Sequence, residues 1–261
     1  MTVLIALDQG TTSTRTVAFD KDLNIIHSEQ KEYPLLYPKD GWVEIEPNEL
    51  MGSVYATIDP VIDVCADIVA MGITNQRETT VIWDADSGQP IYNAIVWQDR
   101  RTADKCMQLK QAGYEEVIRS KTGLLLDPYF SSTKISWILD NVDGARAKAE
   151  AGRLRFGTID TYLLWQLSKG EIFKTDVTNA SRTNLYNIHS RNWDDELLEI
   201  FNIPASMLPE VHSSDSNFGK LVRGNKEIQI TGVIGDQQSA LVGQRCFQPG
   251  QMKATFGTGC F

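Results

Sequence analysis

The chain has 261 residues, 42% hydrophobic and 23% charged, which suits a globular protein with one large or two smaller cores. Its 34 acidic against 25 basic residues give a net charge of -9, the wrong sign for tracking a nucleic-acid backbone or an anionic lipid surface, so a bound polyphosphate would need local donors and a cation. Four cysteines without CxxC spacing and only three histidines argue against zinc and for reduced thiols, and no stretch has the character of a signal peptide or a membrane span, so a cytoplasmic location is expected.

A strand-like run over residues 3–7 is joined to a second at 16–20 by Asp8-Gln9-Gly10-Thr11-Thr12-Ser13-Thr14-Arg15, a turn made almost wholly of hydrogen-bond donors. Gly10 lets a ligand approach the backbone, the N–H groups and hydroxyls of Thr11, Thr12 and Ser13 can share one concavity, and Arg15 adds a fixed positive charge. The turn reads as a phosphate cradle or as a plain hairpin turn. Asp8, at the strand end, could hold Mg2+ through water. A third run over 25–32 follows Lys21-Asp22-Leu23-Asn24 and completes an antiparallel meander. Pro47 opens a helix with apolar spacing over 49–66, and 69–74 returns to strand. Residues 79–83 and 91–96 flank a polar Gly/Pro-containing stretch and predict a hairpin.

Beyond residue 100 the character changes. Residues 100–114, 134–141 and 144–151 read as helices, and a strand over 154–159 leads into a helix over 161–167. β character returns over 216–222 and 228–235, with a helix over 237–244 behind it. The stretch Ile230-Thr231-Gly232-Val233-Ile234-Gly235-Asp236 repeats the earlier pattern of strand, glycine and acidic residue, so Asp8 and Asp236 are expected at two strand ends sharing one cleft. Strands in a block, then alternating strands and helices, predict an α/β domain with a mixed β-sheet covered by helices. After Cys246 the turn Gln248-Pro249-Gly250 precedes a new strand over 252–256, which runs into the hairpin-like Gly257-Thr258-Gly259-Cys260-Phe261.

Several ordered blocks resemble those of the FGGY carbohydrate kinases, and among them the members that act on glycerol. They are Ala6-Leu7-Asp8-Gln9-Gly10-Thr11-Thr12-Ser13, Gly72-Ile73-Thr74-Asn75-Gln76-Arg77-Glu78-Thr79-Thr80, Trp97-Gln98-Asp99-Arg100-Arg101, Asp127-Pro128-Tyr129-Phe130-Ser131, Gly157-Thr158-Ile159-Asp160-Thr161, Thr175-Asp176-Val177-Thr178-Asn179-Ala180-Ser181-Arg182-Thr183, Gly235-Asp236-Gln237-Gln238 and the terminal Gly257-Thr258-Gly259-Cys260-Phe261. The resemblance implies a ribonuclease-H-like, actin-like ATPase fold in two halves, with ATP and a polyol meeting between them. Residues 1–246 would form the first domain, and 247–261 the start of a second that is largely absent.

The same resemblance implies the chemistry. Asp236 would be the catalytic base on a terminal glycerol hydroxyl, the reading that competes with a plain helix cap. Arg77 and Glu78, adjacent and opposite in charge, would serve neighbouring hydroxyls, against the alternative of a solvated pair at a strand end. Tyr129 and Gln237 would also bind the polyol, and Trp97 and Phe261 would enclose it, where simple core filling is the other reading. Thr11, Thr12 and Ser13, with Arg15 close by and Thr258 as a second contact, would hold the ATP phosphates, and Asp8 would lie near Mg2+. Asp160, Asp176 and Arg182 lie in matching blocks without an assigned role. The family also implies assembly as a homo-oligomer.

Overall fold

A computed structural model describes residues 2–224, 226–256 and 260–261. Its centre is a six-stranded mixed sheet formed by β1 (Thr2–Gln9), β2 (Ser13–Phe19), β3 (Ile25–Glu32), β4 (Asp67–Asn75), β5 (Gly219–Arg223) and β6 (Lys226–Gly235), in the spatial order β5-β6-β4-β1-β2-β3. The first three strands form the expected antiparallel meander. β1, β4 and β6 run parallel, and β5 closes the far edge antiparallel to β6. This is the mixed, ribonuclease-H-like sheet that the motifs imply.

Alternation in β1 buries Val3, Ile5, Leu7 and Gln9 on one face. The helix Pro47–Val64 covers that face with Leu50, Val54, Ile58 and Val61, which recur at helical spacing. Glu46 caps its start, the carboxylate accepting the Asn48 and Glu49 N–H groups at 3.1 and 2.8 Å. Between helix and sheet the hydroxyls of Thr14 and Ser53 pair at 2.6 Å, and those of Thr16 and Thr57 at 2.9 Å. A second apolar cluster, built around Phe156, Ile138 and Phe201, belongs to the segment inserted between β4 and β5.

Several sequence expectations change in detail. The strand Val81–Asp84 pairs along its length with Leu154–Gly157, while the expected hairpin is reduced to the isolated bridges Thr80–Ile95 and Trp83–Pro90 and the Ile91 N–H to Ile82 O bond, and Ala94–Ile95 pairs with Glu44–Ile45. The helix expected over 100–114 is Ala103–Gln111, after which Gly113 (φ +87°) breaks the chain and a separate helix, Glu115–Thr122, begins. Residues 252–256 do not form a regular strand. Instead Thr255 and Phe261 exchange backbone hydrogen bonds at 2.7 and 3.0 Å, so described residues before and after 257–259 do pair. Among the described residues no helix is long and apolar enough to cross a membrane.

Candidate active site

The three parallel strands end together. In register, Asp8 and Ile234 both lie opposite Thr74, and Gln9 and Gly235 both lie opposite Asn75. Asp8, the segment following Asn75, and Asp236 therefore occupy one carboxyl edge, the edge at which open α/β sheets bind ligands. Asp8 keeps its side chain accessible, yet its carboxyl is raised above the ordinary range by surrounding protein and by the charge of Asp236, with Arg15 opposing. Arg15 sits directly across from Asp8 on β2 and donates from Nε to Ser28 Oγ at 3.1 Å. Two mutually repelling carboxyls beside an open edge, rich in hard oxygen donors, suit a hydrated divalent cation.

The turn between β1 and β2 is held from below. Gly10 N–H donates to Ser13 O at 2.9 Å, closing it. The Gly10 carbonyl accepts from Gln9 Nε2 at 2.7 Å, from Gln76 Nε2 at 3.0 Å and from the Tyr33 hydroxyl. With its carbonyl pulled into this buried polar knot, the turn presents Thr11, Thr12 and Ser13 outward, with Thr12 the most exposed. Gln9, Tyr33 and Gln76 are the residues that sequence reasoning missed. The signal was a buried glutamine at an inward-facing strand position, where alternation calls for an apolar residue.

Beyond β4 the charges sort themselves differently from expectation. Arg77 and Glu78 do not pair with each other and are not solvated; both are buried. Arg77 Nε donates to Asp236 Oδ1 at 3.1 Å, and Arg182 Nε donates to Glu78 Oε1 at 2.5 Å. Burial pushes the Glu78 carboxyl up, against the opposing pull of Arg182, Arg77 and Lys134. Glu78 has φ of +62°, a conformation unfavourable for a non-glycine residue. It is held by its ion pair and by its carbonyl, which accepts from Ser131 Oγ at 3.0 Å.

Asp236 is the first residue of the helix Asp236–Gly243, with Gly235 as its cap, so the plain capping role falls away. The hydrogen bonds it receives, from Arg77 and from Gln237 N–H at 2.7 Å, both fall on Oδ1 and leave Oδ2 for another donor. Gln237 is engaged through its side-chain carbonyl with Lys253. The aromatic residues also converge: Trp97 lies 5.5 Å from Tyr129 and 5.8 Å from Phe261, edge to face in both cases. Burial beside Glu78 pushes the Tyr129 hydroxyl up to about 12, which keeps it a neutral donor and acceptor.

The carboxyl edge thus carries an acid beside an arginine, an aromatic wall and a donor-lined turn. Residues 3–243 match the sequence model of the FGGY family of carbohydrate kinases, N-terminal domain. The chain belongs to this family. Curated relatives include a glycerol kinase of Geobacillus, 56% identical over 99% of this chain and 53% of its own, and one of Rhodopseudomonas palustris, 54% identical over 100% and 53%. A crystal structure of Plasmodium falciparum glycerol kinase with ADP superposes with a TM-score of 0.94 at 40% identity, covering 100% of this chain and 53% of that one. A Rhodospirillum rubrum xylulose kinase shares the fold, with a TM-score of 0.88 at 19% identity over 98% of this chain and 53% of that one. The FGGY chain described here spans about half the length of the curated relatives it matches.

The FGGY blocks without an assigned role acquire one. Arg182 neutralises Glu78 and lies over the rings of Tyr129 and Phe130 at 5.6 and 4.9 Å. Asp176 caps the helix Val177–Ala180 and orients the Thr178 hydroxyl, which accepts Gly235 N–H at 2.8 Å. Asp160 is fully buried between the hydroxyls of Thr158 and Thr175, at 2.5 and 2.6 Å. Thr258 lies outside the described residues.

Proposed function

We propose that the protein to which this chain belongs transfers the terminal phosphoryl group of ATP to a primary hydroxyl of glycerol, giving sn-glycerol 3-phosphate. The observation that carries this reading is the Arg77–Asp236 pair at 3.1 Å, on the strand edge that also carries the aromatic trio and the donor-lined turn. A three-carbon triol fits this constellation. Its carbons lie against Trp97 and Phe261, one hydroxyl oxygen accepts from Arg77, another hydroxyl donates to Glu78, and Tyr129 serves as a further polar contact. Such a site penalises a substrate lacking a hydroxyl, because it leaves a buried partner unpaired.

Oδ2 of Asp236 accepts the proton of the attacking hydroxyl, a role worth about 10²- to 10⁴-fold in rate. Thr11, Thr12 and Ser13 bind phosphate oxygens, Arg15 adds positive charge, and Asp8 would hold Mg2+. The metal, when bound, neutralises charge that develops on the phosphoryl oxygens. Thr258 and Gln237 complete the nucleotide and polyol contacts. We assign residues 1–246 to the domain that carries the polyol site and the first phosphate loop, and 247–261, with Thr258 and Phe261, to the start of a second. Four free cysteines, two of them buried, support a reducing, cytoplasmic location.

Release of ADP with glycerol and Mg·ATP, followed beside glycerol binding by calorimetry, tests the reading. Glycerol-dependent ADP release supports it. Binding without turnover marks a polyol-binding module instead, and faster turnover of a sugar or a longer polyol moves the acceptor away from glycerol.

A further inference from the structure

Trp97 contributes more than an apolar wall. Its indole N–H donates to Thr11 Oγ1 at 2.9 Å, which ties a ring of the polyol pocket to the first hydroxyl of the phosphate turn. Its backbone N–H donates to Thr79 Oγ1 at 3.2 Å; that hydroxyl donates to Gln76 Oε1 at 2.8 Å, and Gln76 Nε2 donates to the Gly10 carbonyl at 3.0 Å. Both donors of one residue therefore end on the same turn, by separate routes.

The chemistry at Thr11 gives this link a direction. A hydroxyl has one proton and two lone pairs, so a threonine that accepts from the indole must send its own proton elsewhere. With the indole fixed, the Thr11 donor is aimed away from the ring and stays available to an anion. The ring is fixed on its other side by edge contacts to Tyr129 and Phe261.

We propose that Trp97 is the residue through which polyol occupancy orients the phosphate turn. This rests on the polyol reading of the pocket and adds a coupling that the reading does not require. A triol packed against the ring restricts the indole, the indole restricts Thr11, and the turn is prepared for phosphate before nucleotide arrives. By linkage, an anion on the turn tightens the polyol by the same factor.

The test uses the 15N-labelled chain and two readouts. Without ligand, Thr11→Val removes the acceptor while Thr11→Ser keeps it. The Trp97 indole N–H resonance, identified by its loss in Trp97→Phe, is expected to move in the valine variant and to exchange with water about fivefold faster, and to return in the serine variant. An indole signal indifferent to Thr11→Val overturns the proposal. With saturating glycerol, the amides of Gly10, Thr11, Thr12 and Ser13 are expected to shift in the parent chain, and Trp97→Phe is expected to lose most of that shift. Undiminished turn shifts in Trp97→Phe overturn the proposal as well. A parent chain whose Arg77 and Glu78 amides respond while the turn does not shows failure of the link alone. A parent chain in which neither responds overturns the link and the glycerol reading together.

Discussion

Arg77 and Asp236 are 159 residues apart in the chain and 3.1 Å apart in space, brought together because the strands that precede them are parallel neighbours ending in register. The arginine is nearly buried and the carboxylate is 36% exposed, so the pair presents its acidic member to the open edge. Asp236→Asn keeps an acceptor for Arg77 but removes the base. In the whole protein, kcat is expected to fall by about 10²- to 10⁴-fold while the KM for glycerol changes far less. Steady-state assays that find kcat within tenfold of the parent would remove Asp236 from the chemistry.

The approach of Arg77 to Asp236 depends on Gly235. A Cβ there would sit 2.6 Å from Arg77 Cδ and 2.8 Å from its Cγ, closer than real side-chain contacts allow. Gly235→Ala should displace the guanidinium, cost about 1–3 kcal/mol by overpacking and weaken glycerol binding. Calorimetry against urea unfolding checks both halves. Unchanged glycerol affinity in a destabilised variant would show that the position of Arg77 is irrelevant to the polyol.

The sequence made the strand edge legible and left its partnerships obscure. Alternation in residues 2–9 and 226–235 is a local signal, so the positions of Asp8 and Asp236 at strand ends could be read directly. The pairings of Arg77 and Glu78 could not, because their partners lie 159 and 104 residues away, and two adjacent opposite charges invite the wrong assumption that they serve each other. The left-handed backbone at Glu78 is invisible for the same reason, being imposed by Arg182 and Ser131 rather than by residue type. Strand pairing shows the same limit: nothing local in Val81–Asp84 says that Leu154–Gly157 lies beside it in place of the nearer run. The helix Glu115–Thr122 buries only Ile118 and Thr122, which leaves too weak an apolar stripe to read.

Arg182 compensates a carboxyl that has almost no contact with water. Glu78 is 1% exposed, and its direct ion pair is with Arg182 at 2.5 Å. Removing the arginine leaves a buried charge whose remaining support is the more distant Arg77 and Lys134. Arg182→Met is therefore expected to destabilise the chain toward the lower end of the roughly 3–5 kcal/mol typical of a broken buried pair. Restoring neutrality with Glu78→Gln in the same chain should recover part of the loss. A double-mutant cycle in urea that finds the two changes simply additive would contradict the pairing.

Two buried groups give stability a pH dependence of opposite sign on either side of neutrality. Lys134 is completely buried against the carbonyls of Tyr129 and Phe130, and burial pulls its ammonium from an ordinary 10.5 down to about 7. Between about pH 7 and 10.5 the unfolded chain binds a proton that the native chain lacks, so this group makes stability rise with pH. Asp160 is the reverse case: burial and the nearby charge of Asp176 push its carboxyl from 3.8 to about 7. From about pH 4 to 7 the native chain holds a proton that the unfolded chain has lost, so this contribution is full at low pH and disappears as pH rises to about 7. The raised Glu78 carboxyl acts in the same direction. Each group contributes a slope of at most about 1.4 kcal/mol per pH unit in its window. Lys134→Met should flatten the rise above pH 7 while keeping a fall below it, which the loss of Lys134 beside Glu78 can only steepen, and Asp160→Asn should flatten that fall. Urea midpoints taken from pH 5 to 10 measure both limbs, and a Lys134→Met chain that keeps the parent's alkaline slope would mean that the buried amine is not what titrates there.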